Sequence, residues 1–189
     1  MNIIAGTARN LELAVPQGLQ VRPTSGKARK ALFDSLGDLS GITFVDLCSG
    51  SGANALEAAS RGAACAVMVE MELQHTRIIQ ENIRRVQKTG VDTAFELIKS
   101  DILNVAAYRN FLEQADVIYA DPPYAVSAEL CSKLLADSSF TAAANGCLLI
   151  WEIPDTPGAA GDFITLNGVE DMQLRRLGGT MFLTGKVIG

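Results

Sequence analysis

The sequence predicts an α/β protein: a doubly wound, mostly parallel sheet with helices on both faces. Three observations predict it. From Gly41 onward, short apolar runs of strand length alternate with longer stretches of helical periodicity, the order that βαβ crossovers require. The runs are continuously apolar, as strands buried on both faces are. A glycine-bearing turn, Ser49-Gly50-Ser51-Gly52, follows the first run and leads straight into a helix. The chain has 189 residues, 48% hydrophobic and 20% charged, with mean hydropathy +0.20. That suffices for one domain with a real core and a small appendage.

The elements follow in order. Ile3-Ile4, Leu11, Leu13 and Val15, interrupted by Gly6, Pro16 and Gly18, predict a small β-hairpin over residues 1–22. Pro23 with Thr24-Ser25 offers a helix start, and Ala28, Ala31, Leu32, Ser35 and Leu36 recur at helical spacing up to Gly37. Residues 1–40 are therefore read as a hairpin-and-helix appendage to a domain spanning 41–189. Within that domain, strands are expected at Ile42 to Leu47, Ala64 to Val69, Phe95 to Ile98, Val117 to Ala120 and Cys147 to Glu152. Helices are expected at Ala53 to Arg61, Leu73 to Lys88, Ile102 to Leu112 and Ala128 to Ala136. The rhythm breaks at the end, where Met172 to Leu177, Gly178-Gly179 and Thr180 to Val187 predict an antiparallel hairpin closing the sheet edge.

Composition excludes several classes of function. Cys48, Cys65, Cys131 and Cys147 form no Cys-x-x-Cys pair, and the single histidine, His75, has no ligand-type neighbours in sequence. Neither a metal site nor a Ser/His/Asp triad is expected, and the cysteines read as reduced, mostly buried thiols. No apolar run approaches the roughly 18 residues that span a bilayer, and the start carries no basic segment followed by a long apolar one. A cytoplasmic, monomeric protein is the expectation. The net charge is −5, yet residues 1–30 hold Arg9, Arg22, Lys27, Arg29 and Lys30 against Glu12 alone. A basic amino-terminal arm before an acidic body hints at a polyanionic partner, and a solvated helix face explains the same charges equally well.

The chemistry lies at strand ends. Gly50, Gly52 and Ala55 fit the glycine pattern of a dinucleotide turn, and Glu70 closes the next strand at the spacing where a carboxylate meets ribose hydroxyls. A nicotinamide dehydrogenase is thus one candidate. Asp46 tilts the choice, because a carboxylate beside the turn repels a pyrophosphate and attracts an amino acid's ammonium, which suits S-adenosyl-L-methionine. The fourth domain strand runs into Asp121-Pro122-Pro123-Tyr124. Proline fixes φ, so the Pro122 carbonyl is aimed at little entropic cost. Asp121 adds a second acceptor, and Tyr124 offers a ring on which a planar base can lie. Two acceptors and a stacking face suit an exocyclic amine, whose lone pair is freed when both its protons are held. Trp151 reads as core packing, and Arg77, Arg84, Arg85 and Lys88 as the solvated side of one helix.

Asp46-x-x-x-Gly50-x-Gly52, Glu70 and Asp121-Pro122-Pro123-Tyr124 together resemble the class I S-adenosylmethionine-dependent amino-methyltransferases. Ile3-Ile4-Ala5-Gly6, Leu13-x-Val15-Pro16, Arg22-Pro23-Thr24-Ser25 and Arg29-x-Ala31-Leu32-Phe33 are similar to the bacterial small-subunit rRNA guanine-N2 methyltransferases, the RsmD family. The resemblance implies a Rossmann-like sheet and methyl transfer to guanine N2 in 16S rRNA, within the 30S subunit or an assembly intermediate. It implies that Glu70 holds the ribose, Asp101 and Ile102 the adenine, and Asp46, Gly50 and Gly52 the methionine end. Asp121, Pro122, Pro123 and Tyr124 would grip the guanine, and Arg9, Arg22, Lys27 and Arg29 would meet phosphates. The rivals are methylation of another planar amine (adenine N6 or a protein glutamine) and a non-catalytic RNA-binding assembly factor.

Overall fold

The computed structural model describes residues 1–16, 26–153, 159–163 and 166–189. The expected helix start at Thr24-Ser25, and Gly18, lie outside them. Seven strands form one sheet: β1 (Thr43–Asp46), β2 (Cys65–Glu70), β3 (Ala94–Lys99), β4 (Val117–Ala120), β5 (Leu148–Ile153), β6 (Val169–Leu177) and β7 (Thr180–Val187). Their spatial order is β3-β2-β1-β4-β5-β7-β6. The first five are parallel, while β7 runs antiparallel to β5 and β6.

Alternation along each strand sorts side chains between two cores. Phe44, Met68, Val117, Tyr119, Ile150 and Phe182 face α1 (Gly26–Leu36), α2 (Ala53–Ser60) and α3 (Leu73–Gln87). Phe33 of α1 meets Phe44 there at a ring-centroid distance of 5.7 Å. Val45, Val67, Ile118, Leu149, Trp151 and Leu183 face the opposite layer, made of α4 (Arg109–Leu112), α5 (Ser127–Ala136) and α6 (Ser138–Ala143). Trp151 is fully buried there and donates its indole N–H to Ser127 Oγ at 2.9 Å, so it is a core residue.

Two expectations need correction, and one helix was not foreseen. β3 is not continuously buried: it is one of the sheet's two outer strands, and its residues are exposed or half-buried. The helix expected over Ile102 to Leu112 is instead a 3-10 turn at Val105–Ala107 followed by the single-turn α4. Asp101 breaks it, since its carboxylate accepts the Leu103 N–H and its carbonyl the Asn104 N–H, committing that backbone to a turn. The short helix α6 was not legible because Ser138 to Ala143 is hardly amphipathic; Asp137 caps it by accepting the Ser139 N–H at 2.7 Å.

The amino-terminal arm, residues 1–16, folds back through the bridge Asn2↔Glu12 and bonds such as Ile3 N–H to Leu11 O at 3.0 Å. It is stitched to the sheet domain by buried polar side chains. Glu57 of α2 accepts the amides of Ile4 (2.7 Å) and Ala5 (3.1 Å), and Ser60 Oγ accepts that of Ala8 (2.9 Å). Gly6 must be glycine: φ is +80°, and a Cβ there would fall 1.7 Å from the Ser60 carbonyl oxygen.

Candidate active site

Strand order reverses between β1 and β4, because β1 connects outward to β2 while β4 lies on its other side. In such sheets the crevice beyond the carboxyl ends of the strands at this point receives ligands. Asp46 ends β1, Glu70 ends β2, Asp101 follows β3, and Asp121 follows β4. These are the positions the sequence nominates.

Asp46 is fully buried; Oδ1 accepts the Cys48 N–H at 3.4 Å, and Oδ2 has no hydrogen-bond partner. Burial pushes its carboxyl up to about 7, against the pull of the Cys48 and Ala55 amides and with help from the negative Glu70. The turn that follows is tight. Ser49 Oγ donates to Asp46 O at 2.9 Å, Gly52 N–H to Ser49 O at 2.6 Å, and Gly50 and Gly52 have φ of 55° and 78°. A Cβ on Gly52 would sit 3.2 Å from Met68 Sδ, whereas one on Gly50 would meet only open space.

Glu70 faces this turn. Its Oε2 accepts the Gly50 N–H at 2.7 Å, and its Oε1 accepts the Glu72 N–H at 2.8 Å and lies 3.4 Å from His75 Nδ1. His75, which sequence left without neighbours, therefore belongs to the rim of this site. Asp101 is exposed and Ile102 buried, with the Tyr108 hydroxyl donating to the Ile102 carbonyl. Two exposed apolar side chains that sequence reasoning missed, Met71 and Leu103, flank these positions just beyond the paired ends of β2 and β3.

The Asp121–Tyr124 corner stands at the end of β4. Pro122 is buried, Pro123 and Tyr124 are exposed, and the Pro123 carbonyl accepts the Val126 N–H at 3.0 Å. That bond closes the following 3-10 turn through Pro123 and leaves the Pro122 carbonyl out of it. The Tyr124 hydroxyl donates to Glu152 Oε1 at 3.3 Å, and the Tyr119 hydroxyl to Glu152 Oε2 at 3.0 Å. Glu152, 3% exposed, was also missed. The signal available was a carboxylate interrupting an apolar strand end one residue beyond Trp151, which pairs with Ala120.

The four acids converge. Burial pushes the Cys48 thiol well above its ordinary range, and Asp46, Asp121, Glu70 and Asp101 all push it further. The four carboxylates end or follow four neighbouring parallel strands, in the order β3-β2-β1-β4, at the same edge of the sheet. An acid-lined crevice with an unpartnered, buried carboxylate oxygen fits a ligand carrying ammonium and sulfonium charge, and the open space at Gly50 leaves room for close approach. It does not fit a pyrophosphate.

The proposed phosphate contacts are not equivalent. Arg9 and Lys27 are exposed, and Arg22 lies outside the described residues. Arg29 is corrected: it is 2% exposed, donates to the Asn2 carbonyl at 2.6 Å and lies 2.9 Å from Met1 Sδ. Its guanidinium anchors the arm, and burial lowers its pKa. Cys131 and Cys147 are buried, Cys48 and Cys65 half-buried. Among the described residues no cluster of metal-ligating side chains occurs, and no helix is long and apolar enough to cross a membrane.

The parallel sheet with its antiparallel β7, and the acid-lined switch point, define a class I methyltransferase fold. The chain belongs to the family described as Conserved hypothetical protein 95, which matches residues 1–181 and is RsmD-like. A hypothetical protein of Thermus thermophilus superposes with TM-score 0.72 at 30% identity, covering 100% of this chain and 99% of that one. An RNA methyltransferase of Salinibacter ruber, solved with S-adenosyl-L-homocysteine, shares the fold at TM-score 0.60 and 17% identity, over 88% of this chain and 94% of that one. Ribosomal RNA small subunit methyltransferase D of Escherichia coli K12 is 28% identical over 125 residues, 66% of this chain. The match spans 60% of that relative's length. Membership of this family sets the dehydrogenase alternative aside.

Proposed function

We propose that the protein methylates the exocyclic N2 of a guanine in small-subunit rRNA, within the 30S particle or an assembly intermediate. S-adenosylmethionine, when bound, supplies an electrophilic methyl group; everything else is positioning by this chain. Asp46 and the Gly50 and Gly52 backbone receive the cationic methionine end. Glu70 receives the ribose. Asp101 and Ile102 receive the adenine, with Met71 and Leu103 as apolar flanks. Asp121 and the Pro122 carbonyl would accept hydrogen bonds from the two amine N–H groups, which favours a pyramidal nitrogen with its lone pair free; as the N–C bond forms and the S–C bond breaks, one amine proton leaves to the Asp121 carboxylate and on to water. Tyr124, held at its hydroxyl by Glu152, carries the base on its ring. Arg9 and Lys27 contact phosphates and give the docking its salt dependence.

One observation supports this reading: Asp46 at the end of β1 pairs with Tyr119 of the neighbouring β4, two residues before Asp121, so the glycine turn and the Asp121 corner leave adjacent strands at the same edge of the sheet. That placement supports reading the amine-gripping corner and the cofactor crevice as one site, in which no nucleophilic side chain is needed. The name of the Escherichia coli relative supports the RNA, and the Asp-Pro-Pro-Tyr corner supports an amine on a planar ring. The test is to incubate undermethylated 30S particles and naked rRNA with the protein and labelled S-adenosylmethionine, then map the modified base. A methyl group on guanine N2, in particles more than in naked rRNA, is expected. A mark on adenine, or none on either substrate, contradicts the proposal.

A further inference from the structure

Asn82 lies in the second half of α3 and is fully buried. Its Oδ1 accepts the Ala14 N–H at 2.8 Å, and its Nδ2 donates to the Ala14 carbonyl at 2.9 Å and to the Ser51 carbonyl at 2.9 Å. The two bonds to Ala14 imitate a β-ladder pair, with the side-chain amide standing in for a partner strand. The third reaches into the glycine turn. A carboxamide supplies one acceptor and two donors in this arrangement, whereas Asp lacks the donors and Leu lacks all three. The arm grips the same neighbourhood a second time through Glu57 and Ser60, on the helix that begins where the turn ends.

We propose that Asn82 is a positioning residue joining the amino-terminal arm to the glycine turn, so that the arm's seat and the turn's ligand-ready shape are set together. The proposal rests on the assignment of that turn to S-adenosylmethionine. It makes the basic arm a part of the cofactor site's scaffold although no arm residue need touch the cofactor. A ligand that orders the turn then also steadies the arm, because both share one buried side chain whose bonds are costly to leave unmade.

The test uses the full chain and S-adenosylhomocysteine, with amide hydrogen exchange and calorimetry as readouts. In the native chain, ligand binding is expected to slow exchange at Gly52 and also at Ala14. In Asn82→Ala the Ala14 response should vanish, and affinity should fall about fivefold to tenfold. Should Asn82→Ala fold poorly, Ala14→Pro removes the arm's donor to Oδ1 and fixes the arm's backbone there, outside the turn, and should weaken ligand binding in the same direction. A purely structural Asn82 would leave ligand affinity in Ala14→Pro unchanged. Native binding without any response at Ala14, or native-like affinity in Ala14→Pro, overturns the proposal alone. Absence of binding by the native chain overturns it together with the cofactor assignment.

Discussion

Asp46 is where sequence and environment conflict most sharply, for a carboxylate with an orphaned oxygen is enclosed by protein. Held up at about 7 from an ordinary 3.8, it binds a proton in the native chain that the unfolded chain has already released. The native state therefore holds more protons between those values, and stability falls as pH rises through that window and levels off above it. Asp46→Asn removes the penalty. In urea melts at pH 8 it should be more stable than the native chain by up to about 4 kcal/mol, while at pH 4 the two should coincide. Binding should respond the other way. A cationic ligand favours the ionised form, so affinity for S-adenosylmethionine should strengthen as pH rises toward 7, with proton release seen by calorimetry in two buffers. Asp46→Asn should bind weakly at every pH.

At the scale of elements, the arm and α2 are joined by a buried charge. Glu57, fully enclosed, accepts from Ile4, Ala5 and Arg61 Nε, the last at 2.8 Å, and Arg61 in turn reaches Asp34 at 3.0 Å and lies over the Phe33 ring. Glu57→Ala would strand those donors and should cost about 3–5 kcal/mol in thermal or denaturant melts, and Glu57→Gln less. None of this was legible in sequence, since Glu57 reads there as an ordinary helix residue and Arg29 as a surface cation. The strands and the longer helices were legible because burial on both faces leaves unbroken apolar runs at Val45, Val67, Ile118 and Leu149. The segment after Asp101 and the helix α6 were not, because side-chain capping rather than hydrophobic period decides them. The four acids of the site could be found because each closes or follows a strand. Asn82 could not, because its partners are distant in sequence and only the fold brings them together, while Glu152 offered just the signal of a carboxylate at an apolar strand end.

For the whole molecule, the proposed function assigns the chemistry to the sheet's switch point and the docking to the arm. The whole chain has a net charge of −5, and residues 31–189 hold 11 Lys/Arg against 20 Asp/Glu, so under the proposed function RNA binding is directed to the arm's face and to whatever the particle itself offers. The central claim is that the Asp121 corner grips the amine that accepts the methyl group. The most direct measurement is single-turnover methyl transfer to undermethylated 30S particles by Asp121→Ala, beside its calorimetric affinity for S-adenosylhomocysteine. Loss of transfer by about a hundredfold or more, with ligand affinity within a few-fold of the native chain, is the predicted result. Transfer within a few-fold of native by that variant would contradict the account.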